Sequence, residues 1–194
     1  MKNLLIIGGS GQLGKIILST FKTKSPNWNT FNLDFRENNE TEKNFIIKEN
    51  WKLNPEIIPQ IQTCFDNSNY DCIVNVAGGW QMEGLKSKNI LISTEEMMNM
   101  NFYSSILAAH LASQYLKKKS LLVLTGAFMV YKQNNPGINS YYNIYSKKAM
   151  LSYHISKQAV HNLAKMIDES KLLKDDSKVI TILPYNILFN QNHD

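Results

Sequence analysis

The feature that most constrains this 194-residue chain is its opening, where an apolar run, Leu4–Ile7, meets Gly8-Gly9-Ser10-Gly11-Gln12-Leu13-Gly14 without a spacer. Leu13, Ile16, Ile17 and Phe21 then recur at helical spacing. The segment therefore reads as a strand buried on both faces, a glycine turn and a helix. Gly9, Gly11 and Gly14 satisfy GxGxxG in the one context where that pattern carries chemistry. One glycine allows a tight turn, the next lets the backbone approach a pyrophosphate, and the last lets the helix pack closely with its N-terminus toward the phosphates. A dinucleotide held by Gly8, Gly9, Ser10, Gly11, Gln12, Leu13 and Gly14 is one reading, and an ordinary structural turn is the other. Gly14-Lys15-Ile16 lacks the hydroxyl of a GKS or GKT motif, which argues against an ATP-type P-loop.

Beyond this unit the chain alternates. Strands are predicted at Thr30–Asp34, Phe45–Ile47, Cys72–Ala77, Leu121–Leu124 and Val179–Leu183. Helices are predicted at Pro55–Phe65, from Thr94 to about Leu116 with Thr94 as N-cap, and from about Ala149 to Ser170. This order predicts an α/β fold, a Rossmann-like doubly wound parallel sheet covered by helices on both faces, in one domain over residues 1–194. Only Tyr185–Asp194 follow Pro184. The chain is either a compact shortened domain or one that lacks a C-terminal part.

With 43% hydrophobic residues the chain can bury a core without metals or disulfides. Cys64 and Cys72 have no CxxC spacing and are expected to be reduced core thiols. The formal charge of +5 would admit an anionic partner. The lysines are dispersed, however, and the run Lys117–Lys119 falls at an expected helix end, where cations are favoured. Asn and Lys are frequent in the expected loops Thr23–Asn32 and Asn38–Asn44, which reads as compositional bias. No stretch approaches the roughly 20 apolar residues that span a bilayer, and the N-terminus lacks a signal-peptide pattern. The expectation is a cytoplasmic protein with neither a nucleic-acid nor a membrane partner.

Asp34 ends the second predicted strand, twenty residues after Gly14. A carboxylate there accepts hydrogen bonds from adenosine ribose hydroxyls and repels a 2′-phosphate, which favours NADH over NADPH. The other reading is an ordinary exposed Asp, and Arg36 nearby could pair with a 2′-phosphate. Ala77-Gly78-Gly79-Trp80 closes the fourth strand. Ligands in such sheets sit at the carboxyl ends of strands, so this turn can pass the cofactor. Trp80 is either a substrate contact or a loop anchor.

Tyr153 and Lys157 stand at i and i+4 on one helical face. An ammonium beside a phenol stabilises the phenolate, and lysine can also bind the nicotinamide ribose, making the pair a proton-transfer device beside a hydride carrier. Tyr141, Tyr142 and Tyr145 have no lysine four residues on. His154 should point away from that face, and His161 reads as packing or surface. Neither a metal-binding cluster nor a nucleophile elbow is apparent.

These segments, together with His110-Leu111-Ala112 and Lys157-x-Ala159-Val160-His161, resemble the short-chain dehydrogenase/reductase family and, within it, the dihydropteridine reductase branch. The resemblance runs from about residue 2 to 184. It implies NADH-dependent reduction of quinonoid dihydropteridine to the tetrahydro form in a homodimer. Tyr153 would be the proton-relay residue, Lys157 its electrostatic partner and ribose contact, Gly8, Gly11 and Gly14 the phosphate turn, and Asp34 the adenosine-ribose ligand. The helix Thr94–Leu116 would serve either the interface or the core. The alternatives are a short-chain reductase of another small carbonyl or quinonoid compound, or a non-catalytic nucleotide-binding relative.

The family's serine after the fifth strand is replaced by Thr125-Gly126-Ala127-Phe128, where Thr125 has the nearby hydroxyl. That departure is shared with the pterin-reducing branch and favours it. Asn101 lies near the family's proton-relay asparagine. The segment from Thr125 to Tyr153 is about ten residues longer than in that branch. Phe189 falls near a position where the family commonly has a threonine on the carboxamide. The family's last helix and strand, expected after Pro184, are missing.

Overall fold

A computed structural model of the chain describes residues 1–48, 50–51, 55–132, 149–174 and 176–184. Its centre is β1 (Lys2–Ile7), in which Leu4, Leu5, Ile6 and Ile7 are all fully buried. A run without polar alternation suits a strand covered on both faces. Five further strands join it: β2 (Trp28–Asp34), β3 (Lys43–Ile46), β4 (Tyr70–Asn75), β5 (Leu116–Thr125) and β6 (Lys178–Ile182). They form a parallel six-stranded sheet in the order β3-β2-β1-β4-β5-β6. The chain winds outward from β1 on one side and then returns to build on the other. The order reverses between β1 and β4, and in sheets of this kind the carboxyl ends of the strands at that switch point are where ligands bind. The Rossmann-like doubly wound sheet expected from the sequence is the observed fold.

Helix α1 (Gln12–Lys24) covers one face, where Leu18 joins Leu4, Ile6, Val74 and Val123. The other face carries α2 (Ile57–Cys64), α4 (Ser104–Tyr115) and α6 (Leu151–Glu169), with α3 (Ile90–Met97) and the short α5 (Phe128–Lys132) packed against α6. There Leu107, Ala108, Leu111 and Ala112 of α4 and Val160, Ala164 and Ile167 of α6 pack on Leu5, Ile7, Ile73, Leu122 and Leu124. Pro59 is tolerated because it stands in the first turn of α2, where no intrahelical N–H is needed. Cys64 and Cys72 are free thiols; burial pushes both upward, Cys72 to about 12. No described helix is long and apolar enough to cross a membrane.

Three expectations are corrected. The long helix begins at Ile90, about a turn before Thr94, with Asn89 at its N-cap. The Thr94 hydroxyl donates to the Ile90 carbonyl at 2.7 Å and lies 3.0 Å from Ser152 Oγ, so it ties α3 to α6 and caps nothing. A π-helical stretch, Met98–Tyr103, separates α3 from α4. Such wide turns commonly mark functional sites.

The Lys117–Lys119 run lies in β5, since α4 stops at Tyr115. Lys119 has φ +57, and pairing with β4 jumps from Tyr70–Leu116 to Cys72–Leu121, a bulge that turns Lys118 and Lys119 to solvent. Lys117 pairs instead with Asp71 at 2.7 Å. The longer Thr125–Tyr153 segment, Tyr141, Tyr142, Tyr145 and Phe189 fall wholly or partly within 133–148 and 185–194, outside the described residues.

Candidate active site

The glycine turn sits between β1 and α1. Gly8 has φ +87, and a Cβ there would come within 2.4 Å of the Ala77 nitrogen, so the turn is pressed against the end of β4. At Gly14 a Cβ would meet the Gly8 carbonyl oxygen at 2.3 Å, which is why the helix can start so close to the strand. Gly11 is the N-cap of α1 and offers no side-chain cap. An uncapped helix N-terminus behind a backbone pressed flat by glycine has the shape and polarity that a pyrophosphate requires, so the residues present fit a dinucleotide.

Asp34 ends β2 beside this turn and is 7% exposed, which sets aside its reading as an ordinary exposed Asp. Its Oδ2 accepts the Ser10 N–H at 2.7 Å and its Oδ1 the Phe35 N–H at 2.6 Å. Each oxygen retains acceptor capacity for a ribose hydroxyl. Ser10 Oγ donates to the Arg36 carbonyl at 2.5 Å.

The asparagines taken for compositional bias belong to this assembly. Asn38 Nδ2 donates to the Gly9 carbonyl at 2.7 Å, Asn32 Nδ2 to Ser10 Oγ at 3.0 Å, and Asn44 Oδ1 accepts from both Asn32 and Asn38. The sequence signal was the alternation in β2. Phe31 and Leu33 face one side, while Thr30, Asn32 and Asp34 are buried on the other.

At the end of β4, Asn75 Nδ2 donates to Ser104 Oγ at 3.1 Å and to Ser105 Oγ at 3.0 Å, fastening the strand to α4. Asn101, buried in the π-helical stretch, grips the next turn from both sides. Its Oδ1 accepts the Gly79 N–H at 3.0 Å, its Nδ2 donates to the Gly79 carbonyl at 3.1 Å, and Nδ2 also reaches Ser156 Oγ at 3.0 Å. Beyond it the loop returns to α6 through Leu151 N–H on the Glu83 carbonyl at 3.0 Å. Trp80 stands on this loop with 63% of its surface exposed, so its burial does not anchor the loop.

Helix α6 brings Lys157 to the same place. Lys157 is 4% exposed, its Nζ donates to the Thr125 carbonyl at 2.9 Å, and a Cβ on Gly78 would lie 3.4 Å from it. Burial lowers Lys157 to about 8. Tyr153, one turn earlier and half-buried, is pushed upward by burial. The expected depression of the phenol by the ammonium is therefore not what this geometry produces: desolvation dominates at both groups. The Thr125 hydroxyl donates to the Asn75 carbonyl at 2.7 Å, so its proton is committed to the sheet.

The structure thus gathers the glycine turn, Asp34, Ala77, Gly78, Gly79 and Lys157 at the carboxyl ends of β1, β2, β4 and β5. A parallel sheet in this order, with a glycine turn and a helix N-terminus at its switch point, defines a dinucleotide-binding α/β protein. No protein-family model matches the chain. It is 34% identical over 188 residues to the dihydropteridine reductase of Dictyostelium discoideum, covering 96% of this chain and 74% of that protein. Among solved structures it is similar to a short-chain dehydrogenase family protein of Francisella tularensis, with 22% identity, 95% and 69% of the two chains covered and a TM-score of 0.70. An aldohexose dehydrogenase of Thermoplasma acidophilum aligns at 17% identity over 95% and 66% of the chains, with a TM-score of 0.73. The chain belongs to the short-chain dehydrogenase/reductase family of NAD(P)H-binding oxidoreductases.

Proposed function

We propose that this chain is an NADH-dependent reductase of quinonoid dihydropteridine, with residues 1–194 forming a single cofactor-binding and catalytic domain. The observation that carries the substrate class is the Thr125 hydroxyl, held on the Asn75 carbonyl at 2.7 Å. A ketone reductase needs a hydroxyl donor at the strand end to polarise the carbonyl. A quinonoid ring is already strongly electrophilic and does not. The 34% identity to a dihydropteridine reductase supports the same reading.

The glycine turn, Gly8 to Gly14, would hold the pyrophosphate, and Ala77, Gly78 and Gly79 would line the nicotinamide side. Asp34 would take the adenosine ribose hydroxyls, and its carboxylate disfavours a 2′-phosphate, making NADPH the poorer donor. Bound NADH supplies a hydride. Tyr153 keeps its proton on Oη at neutral pH, because burial holds the phenol above its ordinary value, and delivers it to the ring nitrogen. Lys157 Nζ, fixed on Thr125, stabilises the phenolate left behind and contacts the nicotinamide ribose. Trp80 offers an exposed indole on which a flat pterin can stack.

A homodimer in the cytoplasm, joined through α3, α4 and α6, completes the proposal. Ile106 on α4 and Ile155 and Met166 on α6 are exposed apolar residues that such a contact would cover. The test is NADH oxidation by the purified chain with and without freshly generated quinonoid dihydropterin. Substrate-dependent turnover is expected. NADH binding without turnover of the pterin overturns the assignment.

A further inference from the structure

Helix α6 carries a third polar residue on the stripe that holds Tyr153 and Lys157: His161, one turn beyond Lys157. Its Nε2 accepts the Ala127 N–H at 3.1 Å. An accepting Nε2 must carry its lone pair, so the imidazole is neutral with the proton on Nδ1. Two residues earlier in the same turn, the Thr125 carbonyl accepts Lys157 Nζ at 2.9 Å. Consecutive turns of α6 therefore grip one three-residue segment from both ends, Lys157 donating to Thr125 and His161 accepting from Ala127.

The residue between them confirms how close the contact is. A Cβ on Gly126 would stand 2.3 Å from His161 Nε2 and 2.6 Å from Thr181 Cγ2, so a side chain there would displace the ring. Gly126 N–H donates to the Ile182 carbonyl at 2.9 Å, leaving the segment little freedom to move aside. Among the described residues, the titratable groups facing the imidazole are Lys157 on its own helix and Tyr131 on α5, whose ring centroid lies 6.3 Å away; β6 presents Thr181. Burial first, and the Lys157 charge second, hold the imidazole below its ordinary range.

We infer that His161 is a positioning residue: its neutral imidazole fixes the Thr125–Ala127 turn and thereby sets the place of Lys157 Nζ, and protonation of His161 releases both. An imidazolium has no lone pair for the Ala127 N–H, and it puts a second cation beside Lys157. The effect on the enzyme rests on the reading of Lys157 as ribose contact and proton-relay partner. Weaker NADH binding and slower turnover should then appear together as pH falls through the titration of His161.

The test joins a backbone readout to a binding readout. In 1H–15N spectra of the wild-type chain, the Ala127 amide and the His161 ring should follow one titration, below pH 6.5. H161F, which keeps a flat ring but has no acceptor, should weaken NADH binding at neutral pH by roughly tenfold. H161Q, whose Oε1 can take the place of Nε2, should rescue most of that loss and abolish the acid limb. G126A, with His161 intact, should reproduce H161F. An Ala127 amide that ignores the His161 titration, an acid limb that survives in H161Q, or wild-type NADH affinity in G126A overturns the inference. If the titration and NADH affinities behave as expected while quinonoid dihydropterin is not turned over, the positioning role stands and the proposed substrate falls.

Discussion

Lys157 Nζ donates to the carbonyl oxygen of Thr125 at 2.9 Å, while the hydroxyl of the same threonine is turned away onto Asn75. One residue at the tip of β5 thus holds the cation of the site and withholds its own donor from it. Among the described residues the buried ammonium has that one hydrogen-bond partner, and burial lowers its pKa to about 8 from the ordinary 10.5.

A shift of this size corresponds to about 3 kcal/mol of net destabilisation of the charged form. The shift is net of the bond to Thr125, so the folded chain is less stable with lysine charged. The unfolded chain binds the extra proton between pH 8 and 10.5, so this contribution makes stability rise with pH across that window. K157M should abolish turnover and weaken NADH binding, yet unfold in urea no more easily than wild type at pH 7. The stability gap should narrow from pH 8 toward 10. A K157M chain clearly less stable than wild type at pH 7 would contradict the burial argument.

Tyr153 is raised above 10 by burial alone. Y153F should lower kcat by roughly 10²–10⁴ and leave the NADH dissociation constant within about twofold, since only the proton carrier is removed. In a pH–rate profile of the wild type, no alkaline fall due to Tyr153 should appear below pH 10. Single-turnover rates and fluorescence titration with NADH separate the two effects.

Asp34 accepts two backbone N–H groups and, in the proposed function, takes the adenosine ribose hydroxyls. D34A should therefore cost about 2–3 kcal/mol of stability through unsatisfied buried donors. It should also raise the NADPH-to-NADH affinity ratio by an order of magnitude or more, because the repulsion of a 2′-phosphate goes with the carboxylate. Chemical denaturation and parallel titrations with the two cofactors check both parts.

Trp80 and Asn101 should respond in opposite ways. Trp80 is 63% exposed, so W80A should leave the melting temperature nearly unchanged and raise KM for the pterin. Asn101 makes three hydrogen bonds that hold Gly79 and Ser156. N101A should cost about 2–3 kcal/mol in stability and raise KM through a loosened loop. A stable N101A chain with normal KM would show that the Gly79 turn holds itself.

Six strands were legible in the sequence because each carries a short run of continuous or alternating apolar residues, and Leu4–Ile7 could be read together with its glycines because strand, turn and helix are contiguous. Thr94 was misread because an N-cap and a threonine that bonds back one turn share the same local pattern of hydroxyl followed by acids. Lys117–Lys119 were misplaced because a helix end and a bulged strand start follow one another with no breaker between them. What the sequence determined by itself was periodicity and local spacing: a parallel α/β sheet, a glycine turn before a helix, and Tyr153 and Lys157 on one face. Only the tertiary structure decided which polar groups meet across the crossovers. Asn38 on Gly9, Asn101 on Gly79, Lys157 on Thr125 and His161 on Ala127 join residues 22 to 34 positions apart. Hydrogen bonds across such separations depend on strand order and register, which no local window of the chain encodes.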